Sequence, residues 1–337
     1  MDIKVIGLDL AKNVFQVHGM SGSGQPLLRR QLKRREVREF FTKLPPVLVG
    51  MEACGGAHYW GREIESLGHR VKLMNPKYVK PYVKTNKDDR ADAAAIAEAA
   101  TRASVPQVPM KQAWQQDLQS VHRVRSQLMR ERVAVGNEIR GLLGEYGIVV
   151  AKGVSALKRA VPEILEDGQN GLSGLMRGLI AGQYARWGVL DLQIGEVTHK
   201  LEHLAREHEG CSRLMEVPGI GVLGASALVA QANDARHLKN GRELAARQGL
   251  VPRHCGTGGK ERIGHISKCG DGYVRTLLVH GARCVLRHAP KKTDRLSRWA
   301  LEVSRRRGPN IAAVALANKM ARIAWVLLAR GERYQPQ

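Results

Sequence analysis

Apolar and polar positions recur at two different periods along this chain, and the change of period divides it. At the N-terminal end the apolar runs are short and bounded by turn formers. Ile3 to Leu10 and Val14 to Met20 are rich in branched residues and close enough to form a β-hairpin. Ser21-Gly22-Ser23-Gly24 predicts a turn, and a third strand runs through Leu27 and Leu28 into the basic cluster Arg29, Arg30, Lys33, Arg34, Arg35 and Arg38. Pro45-Pro46 ends a short helix before Val47 to Glu52, an apolar run short enough for a buried strand. A helix from His58 to Leu67, a strand from Arg70 to Met74, a break at Asn75-Pro76 and an alanine-rich helix from Asp88 to Ala100 complete the region. Paired strands followed by strand–helix–strand–helix is the order of an RNase H-like (RuvC-like) α/β fold.

From Trp114 the spacing becomes alternately four and three. Leu118, Val121, Leu128, Val135, Ile139 and Leu142 share it, which predicts a long helix with a coiled-coil seam. Trp187, Leu190, Ile194, Val197, Leu201 and Leu204 repeat it in a second helix, with glycine-punctuated sequence from Gly153 to Gly182 between them. Spacing alone leaves two partners open, the other helix of the same chain or a second copy. The last third opens on Val217-Pro218-Gly219-Ile220-Gly221-Val222 and a small-residue helix from Leu223 to Ala232, and is mainly helical. A Gly-x-Gly turn at a helix N-terminus presents N–H groups to a phosphate, so Gly219 and Gly221 are candidate nucleic-acid contacts. The expected domains are therefore 1–110, 111–209 and 210–337.

Composition sharpens this. Among 337 residues, 54 Lys and Arg stand against 31 Asp and Glu, a net charge of +23, spread along the chain. Such a surface attracts polyanions, and nucleic acid is the usual one. Five scattered cysteines without a C-x-x-C pair point to a reducing, cytoplasmic setting rather than a disulfide framework or zinc ribbon. No secretory leader is read at the start, and the apolar stretch from Ile311 to Leu328 carries Asn318, Lys319 and Arg322, so it is expected to pack rather than span a membrane.

Four acids stand where chemistry is expected. Asp9 lies within an apolar strand, where an unpaired carboxylate is costly to bury, and Glu52 ends another. Asp89 and Asp92 are three apart at a helix start, on one face, with Cβ atoms about 5–6 Å apart. First-turn acids also serve the helix dipole, and Asp88 rivals Asp89. Together the four supply the oxygen ligands Mg²⁺ requires, in a pattern suited to phosphodiester displacement. A second candidate is Thr257, a hydroxyl in a glycine turn with Arg253, Lys260, Arg262 and Lys268 nearby, where cations can hold a phosphate. The segment is not a P-loop, because His254 stands at the first glycine position and Glu261 follows Lys260. His254, Cys255, Cys269, Cys284 and His288 fit no zinc-ligand spacing.

Ile6-Gly7-Leu8-Asp9, Met51-Glu52-Ala53, Asp89-Arg90-Ala91-Asp92-Ala93, Pro218-Gly219-Ile220-Gly221, Gly249-Leu250-Val251-Pro252, Gly264 to Asp271 and Leu277 to Arg283 occur in an order that resembles the insertion-sequence "one-ten" transposases, most closely the "eleven-eleven" branch. These are DEDD transposases related to pilin-gene invertases and act as bridge-RNA-guided recombinases. The resemblance covers the whole chain. It implies that Asp9, Glu52, Asp89 and Asp92 bind Mg²⁺ and that a hydroxyl of the C-terminal domain attacks DNA. The family places a serine there, whereas this chain has Thr257 after Gly256, with Ser267 the nearest alternative. It further implies donor and target DNA, a non-coding bridge RNA, and a homo-oligomer, dimer or tetramer, with a site shared between protomers, in a bacterial nucleoid setting. Two other functions fit the residues: an RNase H-like nuclease or junction resolvase working by hydrolysis, and a non-catalytic nucleic-acid-binding protein.

Overall fold

A computed structural model describes residues 2–84, 88–232 and 235–336, without the side chains of Thr257 and Lys260. The chain forms two units, residues 1–112 and 113–337.

The first unit is a mixed sheet with helices on both faces. Its strands are β1 (Val5–Asp9), β2 (Val14–Met20), β3 (Pro26–Lys33), β4 (Leu48–Glu52), β5 (Arg70–Met74) and β6 (Gln107–Val108), in the order β3-β2-β1-β4-β5-β6. β1, β2 and β3 form an antiparallel meander, β4 and β5 run parallel to β1, and β6 returns antiparallel on the edge. The helices are α1 (Val37–Thr42), α2 (Ala57–Ser66), the one-turn α3 (Pro76–Val79) and α4 (Asp89–Thr101). Alternation assigns the two faces of the sheet. Ile6, Leu8, Val49 and Met51 point into a core shared with Phe41 of α1 and with Trp60 and Ile64 of α2. Val5 and Leu48 point the other way, toward Ile96, Ala99 and Ala100 of α4. Asn75-Pro76, expected to break the chain, instead starts α3: Asn75 Oδ1 accepts from the Lys77 amide and Pro76 occupies the first turn.

The second unit is mostly helical. It contains α5 (Ala113–Gly144), α6 (Val154–Glu166), α7 (Gly174–Glu207), α8 (Glu209–Met215), α9 (Val222–Ala232), α10 (Gly241–Arg247), a hairpin of β7 (Pro252–Thr257) and β8 (Lys260–Ile266), α11 (Gly272–His288), α12 (Arg295–Arg307) and α13 (Pro309–Arg330). α5 and α7 pair antiparallel within the chain: Arg132 donates to Asp191, Arg125 Nε to Thr198 Oγ1 at 2.8 Å, and Gly136 lies against Trp187. The stretch read as glycine punctuation is mostly helix. Val154–Glu166 is α6, and α7 begins thirteen residues before Trp187, because Leu157, Val161, Leu172 and Ile180 share a core with Ile139 and Trp187. That burial outweighs the helix-weakening effect of Gly174, Gly178 and Gly182. α13 is long and apolar enough to cross a bilayer. Here it is a core helix, burying Leu316, Met320, Ala324 and Leu327 in a core shared with α8, α10, α11 and α12. His122 of α5 is buried and tied to two other helices. Ser226 Oγ donates to the Val222 carbonyl at 2.6 Å, so it accepts from His122 Nε2 (3.0 Å), while Nδ1 accepts from Tyr273 (3.0 Å).

Candidate active site

Asp9 and Glu52 occupy equivalent places on neighbouring parallel strands, each two residues beyond a glycine. Gly7 pairs with Gly50 in the β1–β4 register, and both face α4. The missing side chains let the helix sit on the strands. A Cβ at Gly7 would lie 2.0 Å from the Ala93 carbonyl oxygen, and one at Gly50 would lie 2.6 Å from Ala100 Cβ. Ala93, Ala97 and Ala100 provide the matching small surface on α4. Because α4 is docked there, its first turn, which carries Asp89 and Asp92, falls at the end of the sheet where β1 and β4 terminate.

The electrostatics record that meeting. The Asp9 carboxyl is pushed up to about 6, first by burial and then by Asp92 and Asp89, with the Leu10 N–H opposing. Glu52 is raised by burial, Asp9 and Asp92. Cys54 is also raised, by burial and then by Glu52 and Asp9, so its thiol stands beside the acids. Among the described residues no cation pairs with any of the four carboxylates. Nor do any three carboxylates, imidazoles or thiols close onto one point at ligand distance as these side chains lie. The acids are near enough to perturb one another, and binding one ion would require their side chains to rotate. The rival Asp88 instead caps α4, its Oδ1 accepting from the Arg90 amide at 3.3 Å. Gly7 and Gly50 are the site-building residues that sequence reading missed, although Gly7-Leu8-Asp9 and Gly50-Met51-Glu52 repeat one glycine-x-acid spacing.

In the second unit, Thr257 ends β7 directly before a two-glycine tip, Gly258 (φ 59°) and Gly259 (φ 79°). Positive φ at both positions matches the twist of a tight hairpin. Thr257 stands opposite Lys260 in register, but the side chains of both lie outside the described residues. Arg262 is exposed on β8, whereas Arg253 donates from Nε and Nη2 to the Ser267 carbonyl. Ser267 Oγ accepts from the Cys269 amide at 3.3 Å. Lys268 adopts φ 52°, a left-handed conformation, at the hairpin root. Arg275 Nη1 clamps that root by donating to the carbonyls of Gln248 and Lys268. Gly219 turns at φ 88° and packs on α11, where a Cβ at Gly281 would lie 1.8 Å from the Gly219 carbonyl oxygen. Gly221 has open space before α9. In the first unit, Arg29, Arg30 and Lys33 lie on β3, and Arg34 and Arg35 in the 3-10 turn after it. Arg30 covers Phe40 at 5.8 Å and Arg34 covers Trp60 at 5.2 Å.

An acid cluster on a mixed sheet, within a strongly basic chain, fits the class of enzymes that act on nucleic acid. Comparison with known proteins is more specific. Residues 6–148 match the DEDD transposase model of the IS110 group, and residues 211–297 match the model described as Transposase IS116/IS110/IS902 family. A probable family 20 transposase of Pseudomonas aeruginosa is 49% identical over 337 residues, covering 100% of both chains. The transposase for insertion sequence element IS1111A of Coxiella burnetii is 43% identical, covering 99% of this chain and 92% of its own. The transposase for insertion sequence element IS1328 of Yersinia enterocolitica is 39% identical, covering 98% of each. The chain belongs to the IS110/IS116/IS902 family of insertion-sequence transposases, enzymes that cut and rejoin DNA.

Proposed function

We propose that this transposase is a bridge-RNA-guided recombinase working through a covalent protein–DNA intermediate, with an RNase H-like acid site and a separate hydroxyl nucleophile. The observation that carries the reading is the docking of α4 on Gly7 and Gly50, which gathers Asp9, Glu52, Asp89 and Asp92 at one end of the sheet. The strand order, a three-strand meander followed by parallel β4 and β5, supports the RNase H-like assignment. A set of hard oxygen donors with no cation among them fits Mg²⁺, and these four residues would hold it. When bound, such an ion supplies charge neutralisation at the oxygens entering and leaving phosphorus.

The chain's own groups do the rest. The Thr257 hydroxyl attacks the scissile phosphorus, a Thr257 Oγ1–phosphorus bond forms, and the deoxyribose oxygen leaves with a proton. Arg262, Lys260 and Lys268 hold phosphate near the hairpin, while Gly221 at the start of α9 and the β3 arginines bind nucleic-acid backbone, which positions without reading sequence. Sequence choice falls to pairing between bridge RNA and donor or target DNA. Acid site and hydroxyl come from different protomers of a homo-oligomer.

The test is denaturing electrophoresis of the protein with labelled DNA and guide RNA, then mass spectrometry of the DNA-linked peptide. A covalent adduct at Thr257 is expected, lost in Thr257→Ala, kept in Thr257→Ser and lost in Asp92→Ala. Metal-dependent cleavage with no adduct would assign the protein instead to hydrolytic nucleases, and an adduct mapped to Ser267 would move the nucleophile.

A further inference from the structure

A groove of about 1850 Å³ in the second unit runs between the β7–β8 hairpin, the start of α10, and helices α12 and α13. Small-molecule sites occupy about 300–1,000 Å³, so this is room for a polymer rather than a metabolite. Five cations line it, Arg242, Lys268, Arg307, Lys319 and Arg322, and no carboxylate is among its described lining residues. None of the five forms an ion pair among the described residues. Lys319 lies 4.2 Å over the Trp299 ring, and its ammonium is held below the usual lysine range by burial and then by Arg295 and Arg322. Such a cluster of like charge is relieved by an anion.

The walls narrow the choice of anion. Ile263 on β8 and Ile311 on α13 face the groove while 70% and 50% exposed, and Trp299 adds an aromatic ledge. A duplex offers a groove of this kind only its sugar-phosphate rails, which leave exposed isoleucines without partners. An unpaired strand offers phosphates to the cations and base faces to the apolar wall, the combination used by single-strand binders. Cutting and rejoining DNA exposes unpaired DNA at the site of reaction. We infer that this groove binds a single-stranded DNA segment, its phosphates on Arg242, Arg307 and Arg322 and its bases against Ile263, Ile311 and Trp299. The inference rests on the reading that the second unit handles the DNA being recombined.

The experiment uses the full chain and fluorescence anisotropy with oligo(dT) of about 16 nucleotides, the upper site size for one such groove, oligo(U) of equal length, and a duplex of equal length. The double variant Arg242→Gln/Arg307→Gln changes two exposed side chains outside the core, so its thermal melting should match wild type. Its affinity for oligo(dT) should fall about tenfold, and its log–log salt slope should shrink by about 1.4, or about 0.7 per lost phosphate contact. Duplex affinity should change less than about twofold. Photo-crosslinking of iodouracil-substituted oligo(dT) to wild-type protein, which needs no variant, should map to the peptides holding Trp299, Ile263 or Ile311. Unchanged oligo(dT) affinity, equal loss on duplex, or crosslinks elsewhere would overturn the groove while leaving the recombinase reading intact. Oligo(U) bound about tenfold tighter than oligo(dT), with that preference lost in the variant, would make it an RNA groove and overturn the assignment to DNA. Wild-type protein that binds none of the three would overturn the recombinase reading itself.

Discussion

The contact between β1 and α4 can be broken with a single methyl group. In Gly7→Ala the new Cβ would stand 2.0 Å from the Ala93 carbonyl oxygen, 2.5 Å from the Ala97 nitrogen and 2.9 Å from Ala97 Cβ. Carbon contacts relax at about 3.5–4.0 Å, so the helix has to retreat by on the order of 1 Å or more. Overpacking of this kind destabilises by about 1–3 kcal/mol, and a backbone partner that cannot rotate away puts Gly7→Ala at the top of that range. A shift of about 1 Å in Asp89 and Asp92 relative to Asp9 should also reduce cleavage on the order of a hundredfold. Gly50→Ala meets chiefly a side chain, Ala100 Cβ at 2.6 Å, with the Ile96 carbonyl oxygen and Met74 Cε at 3.2 and 3.3 Å. Adding Ala100→Gly removes that clash, at about 1 kcal/mol for the helix glycine, so this pair should show favourable coupling of about 1–2 kcal/mol. Gly7→Ala with Ala97→Gly should show little, because the Ala93 oxygen stays. Urea unfolding of the four variants and both doubles, with single-turnover cleavage, measures both effects. Rescue of Gly7→Ala by Ala97→Gly, or a Gly7→Ala protein with wild-type stability and turnover, would refute the packing argument.

Three further outcomes follow from the same geometry. Asp88→Ala should lower stability by about 1 kcal/mol through the lost cap yet keep cleavage, whereas Asp89→Ala and Asp92→Ala should abolish cleavage in a folded, DNA-binding protein; activity assays beside melting curves separate them. Asp9, raised to about 6, holds in the folded state a proton that the unfolded chain releases at lower pH, so metal-free protein should lose stability as pH rises from the ordinary aspartate value of 3.8 through about 6, and Glu52, also raised, acts in the same direction. Asp9→Asn should flatten that slope in urea midpoints; an unchanged slope would count against burial of the acid. Arg34→Ala should cost about 0.5–1 kcal/mol by uncovering Trp60, whereas Arg35→Ala should leave stability alone and reduce the duplex salt slope by about 0.9; the reverse pattern would reassign the two arginines.

The parts of the fold written in local periodicity were legible. Branched residues gave the β1–β2 hairpin, Ser21 to Gly24 marked the turn into β3, and the four-three spacing gave α5 and the C-terminal part of α7. The positions of Asp9 and Glu52 were legible too, because a carboxylate within or at the end of an apolar strand demands an explanation, whereas Asp89 and Asp92 read equally as first-turn acids of a helix. What the sequence hid depends on partners distant along the chain. Gly7 and Gly50 are glycines because α4 lies on them, and nothing near them in sequence announces that helix. Gly219 read as part of a phosphate turn, and its close neighbour is Gly281 on α11. Gly174, Gly178 and Gly182 read as punctuation because their helix is held by the burial of Ile180 and Trp187, not by propensity. At the β7–β8 hairpin the paired glycines marked the tip, but the strands carry no buried face among their described residues, so period-two alternation had nothing to report.

In the proposed function, the acid site is a place where folding and function pull apart. Burial first, and then neighbouring acids with no cation among them in the described structure, raise Asp9 and Glu52, so the packing that assembles the site works against the charge of these two groups. That opposition is offset at a distance. Ala93, Ala97, Ile96 and Ala100 are all at most 3% exposed, and their contact with β1 and β4 holds α4 in place whether or not its first turn is comfortable. An alanine surface against glycines has few rotamers to lose, so it fixes position with little entropy spent on side chains. The same economy makes it unforgiving, since neither partner has a side chain that can yield. Tolerance to substitution should therefore be lowest at Gly7 and Ala93, residues that touch no substrate, and their failure in an activity screen would reflect placement of the acids rather than any chemistry of their own.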